Sequence, residues 1–268
     1  MNRLQDKIAV ITGAGGGIGK VAAKRFAEEG ATVLILDIQE TCAAEAAEEI
    51  RAAGGMAEYY VLDISDENAV RETFARIGEA FRRIDILYNN ASVFWGKKDT
   101  AVDMLDMGVF ERIMKINLYG LVYCSKYAIA FMKQKGGSII HTGSSAAVAG
   151  VPGCDAYTAS KGATAALTRS MAVEYGGYNI RTNCICPAAI RTPMVGESNL
   201  GDPNFDDDFF KNRLTPIHRW GTPEEIADTA LFLASEGTYL NGAVLRCDGG
   251  ITVNGNVNAT AYEMRMEE

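Results

Sequence analysis

Short apolar runs alternate with longer amphipathic stretches along nearly the whole chain, and this alternation narrows the choice of fold more than any other feature. Residues 7–12 read as a continuous buried strand, and residues 18–29 place Ile18, Val21, Ala22 and Phe26 on one helical face. Further strands are expected at 32–36, 57–62, 84–88, 138–142, 180–185 and 243–246. Helices are expected at 41–53, 66–82, 106–133, 154–175 and 222–234. The last of these starts with Thr222 as N-cap, Pro223 at N1 and Glu225 at N3, a capping box. Strand and helix in turn imply an α/β architecture, a doubly wound parallel sheet covered by helices on both faces. No repeat, low-complexity tract or linker marks a boundary, so residues 1–268 read as one domain. The irregular stretch at about 194–218 reads as a mobile lid, and 251–268 as a polar tail that drapes over a neighbour or stays loose.

The first strand runs into T-G-A-G-G-G-I-G, Thr12 to Gly19, with a helix immediately after. Glycines admit a pyrophosphate close to the backbone, and a helix start offers free N–H groups and the positive end of a dipole. The general dinucleotide spacing fits only as Gly17, Gly19 and Ala22, whereas T-G-x-x-x-G-x-G fits Thr12, Gly13, Gly17 and Gly19 directly. The bland alternative is a tight turn. Asp37 closes the second strand, where a carboxylate meets a ribose 2′-hydroxyl and repels a 2′-phosphate. Ile38 follows it, with no arginine to neutralise a phosphate, so NAD is favoured over NADP. Alternatively, Asp37 only helps to start the next helix.

A second cluster carries proton chemistry. Ser144 stands thirteen positions before Tyr157, and Tyr157 to Lys161 reads Y-T-A-S-K. A free phenol, with a pKa of about 10, is a poor acid or base at neutral pH. A lysine one helical turn away favours the phenolate, and a serine hydroxyl can bond the oxygen that the tyrosine protonates. Acting as a base requires bringing the phenol toward neutrality, roughly 3–4 kcal/mol of differential stabilisation. The bland alternative is an exposed helical pair.

The formal net charge of −8 argues against nucleic acid, whose phosphates call for a basic face. No stretch approaches the roughly 20 apolar residues of a membrane span, and no lysine/arginine run suggests a membrane surface. The N-terminus lacks a signal-like apolar region, and none of the six cysteines forms a C-x-x-C. A reduced, cytoplasmic protein is expected. His141 and His218 have no metal-like spacing, so no metal is expected.

With both ends of the site in view, the chain resembles the short-chain dehydrogenase/reductase family over nearly all of residues 5 to 250. The resemblance rests on Thr12–Gly19, N-N-A at Asn89–Ala91, Asn117, Ser144, Tyr157 with Lys161, the P-x-x-I-x-T run of Pro187, Ile190 and Thr192, and D-G-G at Asp248–Gly250. It implies a seven-stranded Rossmann-type sheet, a cofactor half at about 1–150 and a catalytic half at about 151–250. It also implies Tyr157 as general acid/base, Lys161 as the residue that lowers its pKa and holds the nicotinamide ribose, and Ser144 as the one that orients the substrate oxygen. Asn117 would support a water leading from Lys161 to solvent. Cofactor contacts would come from Gly13, Gly16, Gly17, Ile18, Gly19, Asp37, Ile38, Asp63, Ile64, Asn89, Ala91, Pro187, Ile190 and Thr192, besides Tyr157 and Lys161.

Bland readings stand beside these. Asp63 could cap the helix near Asp66, Asn117 could satisfy a backbone group in a kinked helix, and Ser144 could make a local turn. The chain departs from the family at Ser92 and Ala188, where glycine is usual and permits φ > 0 or close cofactor approach.

Candidate pocket walls are Val93, Phe94, Trp95, Ala146, Val148, Val151, Cys154, Met194 and the stretch 205–210. They are mostly apolar with no basic cluster, which fits a hydrophobic secondary alcohol or ketone, cyclic or steroid-like. A 3-oxoacyl-thioester reductase acting on an acyl carrier protein is the alternative, and a non-catalytic dinucleotide sensor or scaffold is another. Small residues along 154–175 permit close helix packing, and the family commonly uses this element in dimers and tetramers.

Overall fold

A computed structural model describes residues 2–196 and 206–254. Seven strands form one sheet: β1 (Ile8–Thr12), β2 (Thr32–Asp37), β3 (Met56–Val61), β4 (Ile86–Asn89), β5 (Gly137–Thr142), β6 (Ile180–Pro187) and β7 (Val244–Cys247). All pairings are parallel, in the order β3-β2-β1-β4-β5-β6-β7. The main helices are α1 (Gly17–Glu28), α2 (Glu40–Ala52), α3 (Glu67–Phe81), α4 (Met107–Met114), α5 (Leu121–Met132), α6 (Asp155–Tyr175) and α7 (Pro223–Ala234).

Period-two alternation splits the apolar strands between two cores. Ile11, Val33, Ile35 and Ile140 pack with Phe26 of α1, Ile50 of α2 and Leu231 of α7. Val10, Leu34, Leu87 and Ile139 pack on the other face with Phe74 of α3, Ala128 of α5 and Met171 of α6. In α1 the buried face is Gly19, Ala22, Ala23, Phe26 and Ala27, and Ile18 and Val21 only flank it. Glycine and alanine let the helix approach the sheet more closely than the larger side chains would. Asp66 caps α3, accepting from the N–H groups of Asn68 and Ala69, and the expected capping box opens α7.

The stretch 106–133 is not one regular helix. Lys115–Gly120 forms a π-helical segment between α4 and α5, with Asn117 buried inside it. The chain builds β1, β2 and β3 outward, then returns to place β4 on the other side of β1. The crevice beyond the carboxyl ends of β1 and β4 is therefore the topological switch point, where open α/β sheets bind ligands. Part of the stretch 194–218, and residues 255–268 of the tail, lie outside the described residues.

Candidate active site

The glycine turn divides its glycines between two duties. A side chain at Gly13 (φ 63°) would bring Cβ within 2.8 Å of Ala91 Cα, and one at Gly19 within 2.2 Å of the Gly13 carbonyl oxygen. Packing alone requires those two. Among the described residues, a side chain at Gly16 would meet nothing within 4 Å, and at Gly17 the nearest neighbours are Pro193 and Thr192, 3.9 Å away. Gly16 is the N-cap of α1, and no side chain caps that helix end. The described residues therefore leave space in front of a helix start without a side-chain cap, and this cradle fits a pyrophosphate.

The turn is held from the β4 side. Thr12 Oγ1 accepts the N–H groups of Asn90 and Ala91, both at 3.1 Å, and Asn90 Nδ2 lies 3.2 Å from the carbonyl oxygens of Thr12 and Gly13. The side chain that reaches the loop is thus that of Asn90, which sequence reasoning missed, and not that of Asn89. Asn89 points to the other face, where its Nδ2 donates to Ser125 Oγ at 3.0 Å. Strand alternation assigns neighbours to opposite faces, and the N-N-A motif does not say which asparagine faces the loop.

Asp37 ends β2 beside the turn. Its carboxylate accepts the N–H of Gly15 and that of Gln39, both at 2.9 Å, and Ile38 next to it is 58% exposed. Asp63 lies at the same end of the sheet, accepting the Ser65 N–H at 2.9 Å with Arg112 at 3.7 Å. Asp66, not Asp63, caps the helix. Ile64 turns inward against Gly120, and Ile190 into the α7-side core, so only their backbones remain available to a ligand. Thr192 faces Gly17 across the crevice, and Pro187 ends β6. The positive φ in this loop falls on Ala189 (52°), and Ala188 and Ser92 have none. Of the two reasons for a glycine at these positions, a positive φ does not apply, which leaves close cofactor approach.

The second cluster lies at the carboxyl end of β5 and the first turns of α6. Ser144 accepts the Ala146 N–H at 3.2 Å, so it makes the local turn as well as facing Tyr157. Lys161 is fully buried, donates from Nζ to the Thr142 carbonyl at 2.8 Å, and lies 5.6 Å from the centroid of the Tyr157 ring. Burial pushes the Tyr157 phenol up to about 12, opposed by its hydrogen bond with Ser144. Burial likewise pulls Lys161 down to about 8. Among the protein's own groups, burial is the largest influence on this phenol. Lys161 is shut off from water and Tyr157 partly so, which disfavours both charges, and the ammonium bonds the Thr142 carbonyl.

Asn117 is bonded to protein on both ends of its amide. Oδ1 accepts the Val93 N–H at 2.8 Å, and Nδ2 reaches the Val93 carbonyl at 2.9 Å and Ser160 Oγ at 3.2 Å. Its side chain thereby fixes the irregular segment that leads into Phe94, whose ring meets that of Tyr157 edge-on with centroids 4.9 Å apart. Cys184 and Cys186, two apart in β6, lie on the same face with Sγ to Sγ at 3.9 Å. Among the described residues no three His, Cys, Asp or Glu are grouped to hold a metal ion, and no helix is long and apolar enough to cross a membrane.

A family model described as enoyl-(acyl carrier protein) reductase matches residues 13–252. The meso-2,3-butanediol dehydrogenase of Serratia marcescens is 36% identical over 94% of this chain and 97% of its own length. The crystal structure of levodione reductase superposes with a TM-score of 0.88 at 32% identity, over 94% of this chain and 99% of that one. Carveol dehydrogenase from Mycobacterium avium, in complex with NAD, gives a TM-score of 0.88 at 27% identity, over 94% and 100%. With the glycine turn, the serine and the tyrosine–lysine pair at one end of a seven-stranded parallel sheet, the chain belongs to the short-chain dehydrogenase/reductase family of oxidoreductases.

Proposed function

We propose that the protein interconverts a hydrophobic secondary alcohol and its ketone with NAD as cofactor, Tyr157 moving the proton. The observation that carries this reading is the cluster of half-buried Tyr157 with buried Ser144 and Lys161, beside the cradle at Gly16 and Gly17. Gly16, Gly17, Asp37 and Thr192 would hold the cofactor, which supplies the hydride acceptor and, when oxidised, a positive ring. Asp37 disfavours a 2′-phosphate by like charge, with exposed Ile38 beside it.

At neutral pH the phenol is protonated, so Tyr157 is ready to donate its proton to a carbonyl oxygen that Ser144 also bonds. In the opposite direction the phenolate must take an alcohol proton. A phenol held at about 12 needs roughly 6 kcal/mol of added phenolate stabilisation to act near neutrality. Lys161, still cationic at pH 7, contributes a fixed charge to that stabilisation. The edge-on ring of Phe94 offers the substrate an apolar wall beside the hydroxyl. Two similar proteins, a dehydrogenase of butanediol and one of carveol in complex with NAD, both act on secondary alcohols, and carveol is also apolar and cyclic.

We also read the protein as a homo-oligomer. An apolar groove of about 680 Å³ runs between Leu118, Tyr119, Val122 and Tyr123 on one side and Ala163 and Leu167 of α6 on the other.

Nicotinamide absorbance with NAD⁺ or NADP⁺ over a panel of cyclic, aryl and steroid secondary alcohols tests the function. Tyr157→Phe should abolish turnover and leave NAD binding intact. Turnover restricted to NADPH and acyl thioesters would instead establish a thioester reductase. Tight NAD binding with no turnover across the panel would establish a sensor.

A further inference from the structure

We propose that Asp99 is a positioning residue for Tyr157, a carboxylate from the segment after β4 that caps the tyrosine's helix and holds it against the aromatic wall of the cleft. The inference rests on Tyr157 as the acid/base. Helix α6 starts at Asp155, and its N-cap residue, Cys154, makes no side-chain cap bond. A helix start leaves N–H groups without intrahelical partners, and each must find one. Here the Ala156 N–H goes to Asp99 Oδ1 at 3.1 Å and the Tyr157 N–H to Asp99 Oδ2 at 2.8 Å. The Asp155 N–H goes to the Thr100 carbonyl at 3.3 Å, and the Thr158 N–H to the Cys154 carbonyl at 2.9 Å. Asp155 returns a bond by accepting the Val102 N–H at 2.9 Å.

Asp99 is only 2% exposed although it is a carboxylate, so its two helix N–H partners and the helix dipole are what make its burial tolerable. It is 58 residues from Tyr157 in sequence, and its own N–H bonds the Trp95 carbonyl at 2.8 Å. The tether therefore runs from the Phe94–Trp95 turn, which Asn117 anchors at Val93, through Asp99 to the backbone N–H of Tyr157. The edge-on contact of Phe94 with the Tyr157 ring closes the circuit. One carboxylate thus sets both where the hydroxyl stands and how the substrate wall meets it. Small displacements of a reacting group are costly, on the order of a hundredfold for about 1 Å.

The test uses Asp99→Ala and Asp99→Asn beside Asp106→Ala, which removes the corresponding two-bond cap from α4. In Asp99→Ala, kcat should fall roughly 10- to 100-fold, NAD affinity by fluorescence should stay within about twofold, and amide exchange at Tyr157 should accelerate. Asp99→Asn, of the same shape and with one acceptor left, should recover part of kcat, and it serves if the alanine variant does not fold. Asp106→Ala should lose stability without losing kcat. An unchanged kcat in both Asp99 variants overturns the inference, as does an equal fall in Asp106→Ala. A wild-type protein without turnover, with Tyr157 exchange still released in Asp99→Ala, overturns the acid/base reading and leaves the clasp itself established.

Discussion

His141 lies near the carboxyl end of β5 with no exposed surface, and burial, helped by the charge of Lys161, pulls its pKa down to about 3. Its Nδ1 is 2.9 Å from Thr168 Oγ1, whose own proton is directed to the Thr164 carbonyl at 2.8 Å. Thr168 therefore accepts from His141, the imidazole carries its proton on Nδ1, and Nε2 is left buried without a partner among the described residues. In the unfolded chain the same imidazole titrates near 6.5. The folded pKa is the lower one, so the unfolded state binds the extra proton, and stability falls as pH drops below about 6.5 toward about 3. The penalty is about 2 kcal/mol at pH 5 and close to zero at pH 7. Glu29, Glu49 and Glu225, each lowered from 4.5 to about 2 by its hydrogen-bonded cationic partners, lose their contributions as pH falls from about 4.5 toward about 2. The window from pH 5 to 6.5 thus isolates the histidine. Urea denaturation of the wild type and of His141→Leu across that window should show a steep pH dependence in the first and a shallow one in the second. Equal slopes in the two proteins would refute the reasoning.

Replacing Asp37 with Ser and Ile38 with Arg together removes a like charge and adds a phosphate partner. The ratio of kcat/KM for NADP⁺ over NAD⁺ should rise roughly 10- to 100-fold, and an unchanged ratio would show that Asp37 does not read the ribose. Light scattering should return a multiple of the 28.8 kDa chain mass, and Ala166→Arg in the apolar groove should lower it. A monomeric wild type would contradict the assembly.

The sheet was legible because seven apolar runs separated by helical patterns leave little choice but a parallel, two-faced arrangement. The tyrosine, lysine and serine were legible because their spacing is that of one helical turn and a fixed loop. What escaped the sequence depends on the third dimension. Asn90 and Asn89 are identical in type, and only the strand's pleat decides which one braces the glycine turn. Asp99 carries no motif spacing, since its partners lie at the start of a helix built much later in the chain. The pKa directions of Tyr157 and Lys161 follow from how deeply they are buried, which a four-residue spacing does not encode. The strained backbone fell one residue beyond the position that the family pattern marked.

The π-helical segment Lys115–Gly120 has a consequence for the rod that contains it. A π turn takes one residue more than an α turn, and each residue of an α-helix advances the side chains by about 100°. The segment therefore lets α4 and α5 keep different rotational settings while remaining one continuous element, and Asn117 marks the point where the setting changes. Deleting a single residue there would re-index everything downstream. Leu121, Cys124, Ala128 and Met132 would swing away from the sheet together, so a local irregularity in one helix keeps an entire flank of the core in phase.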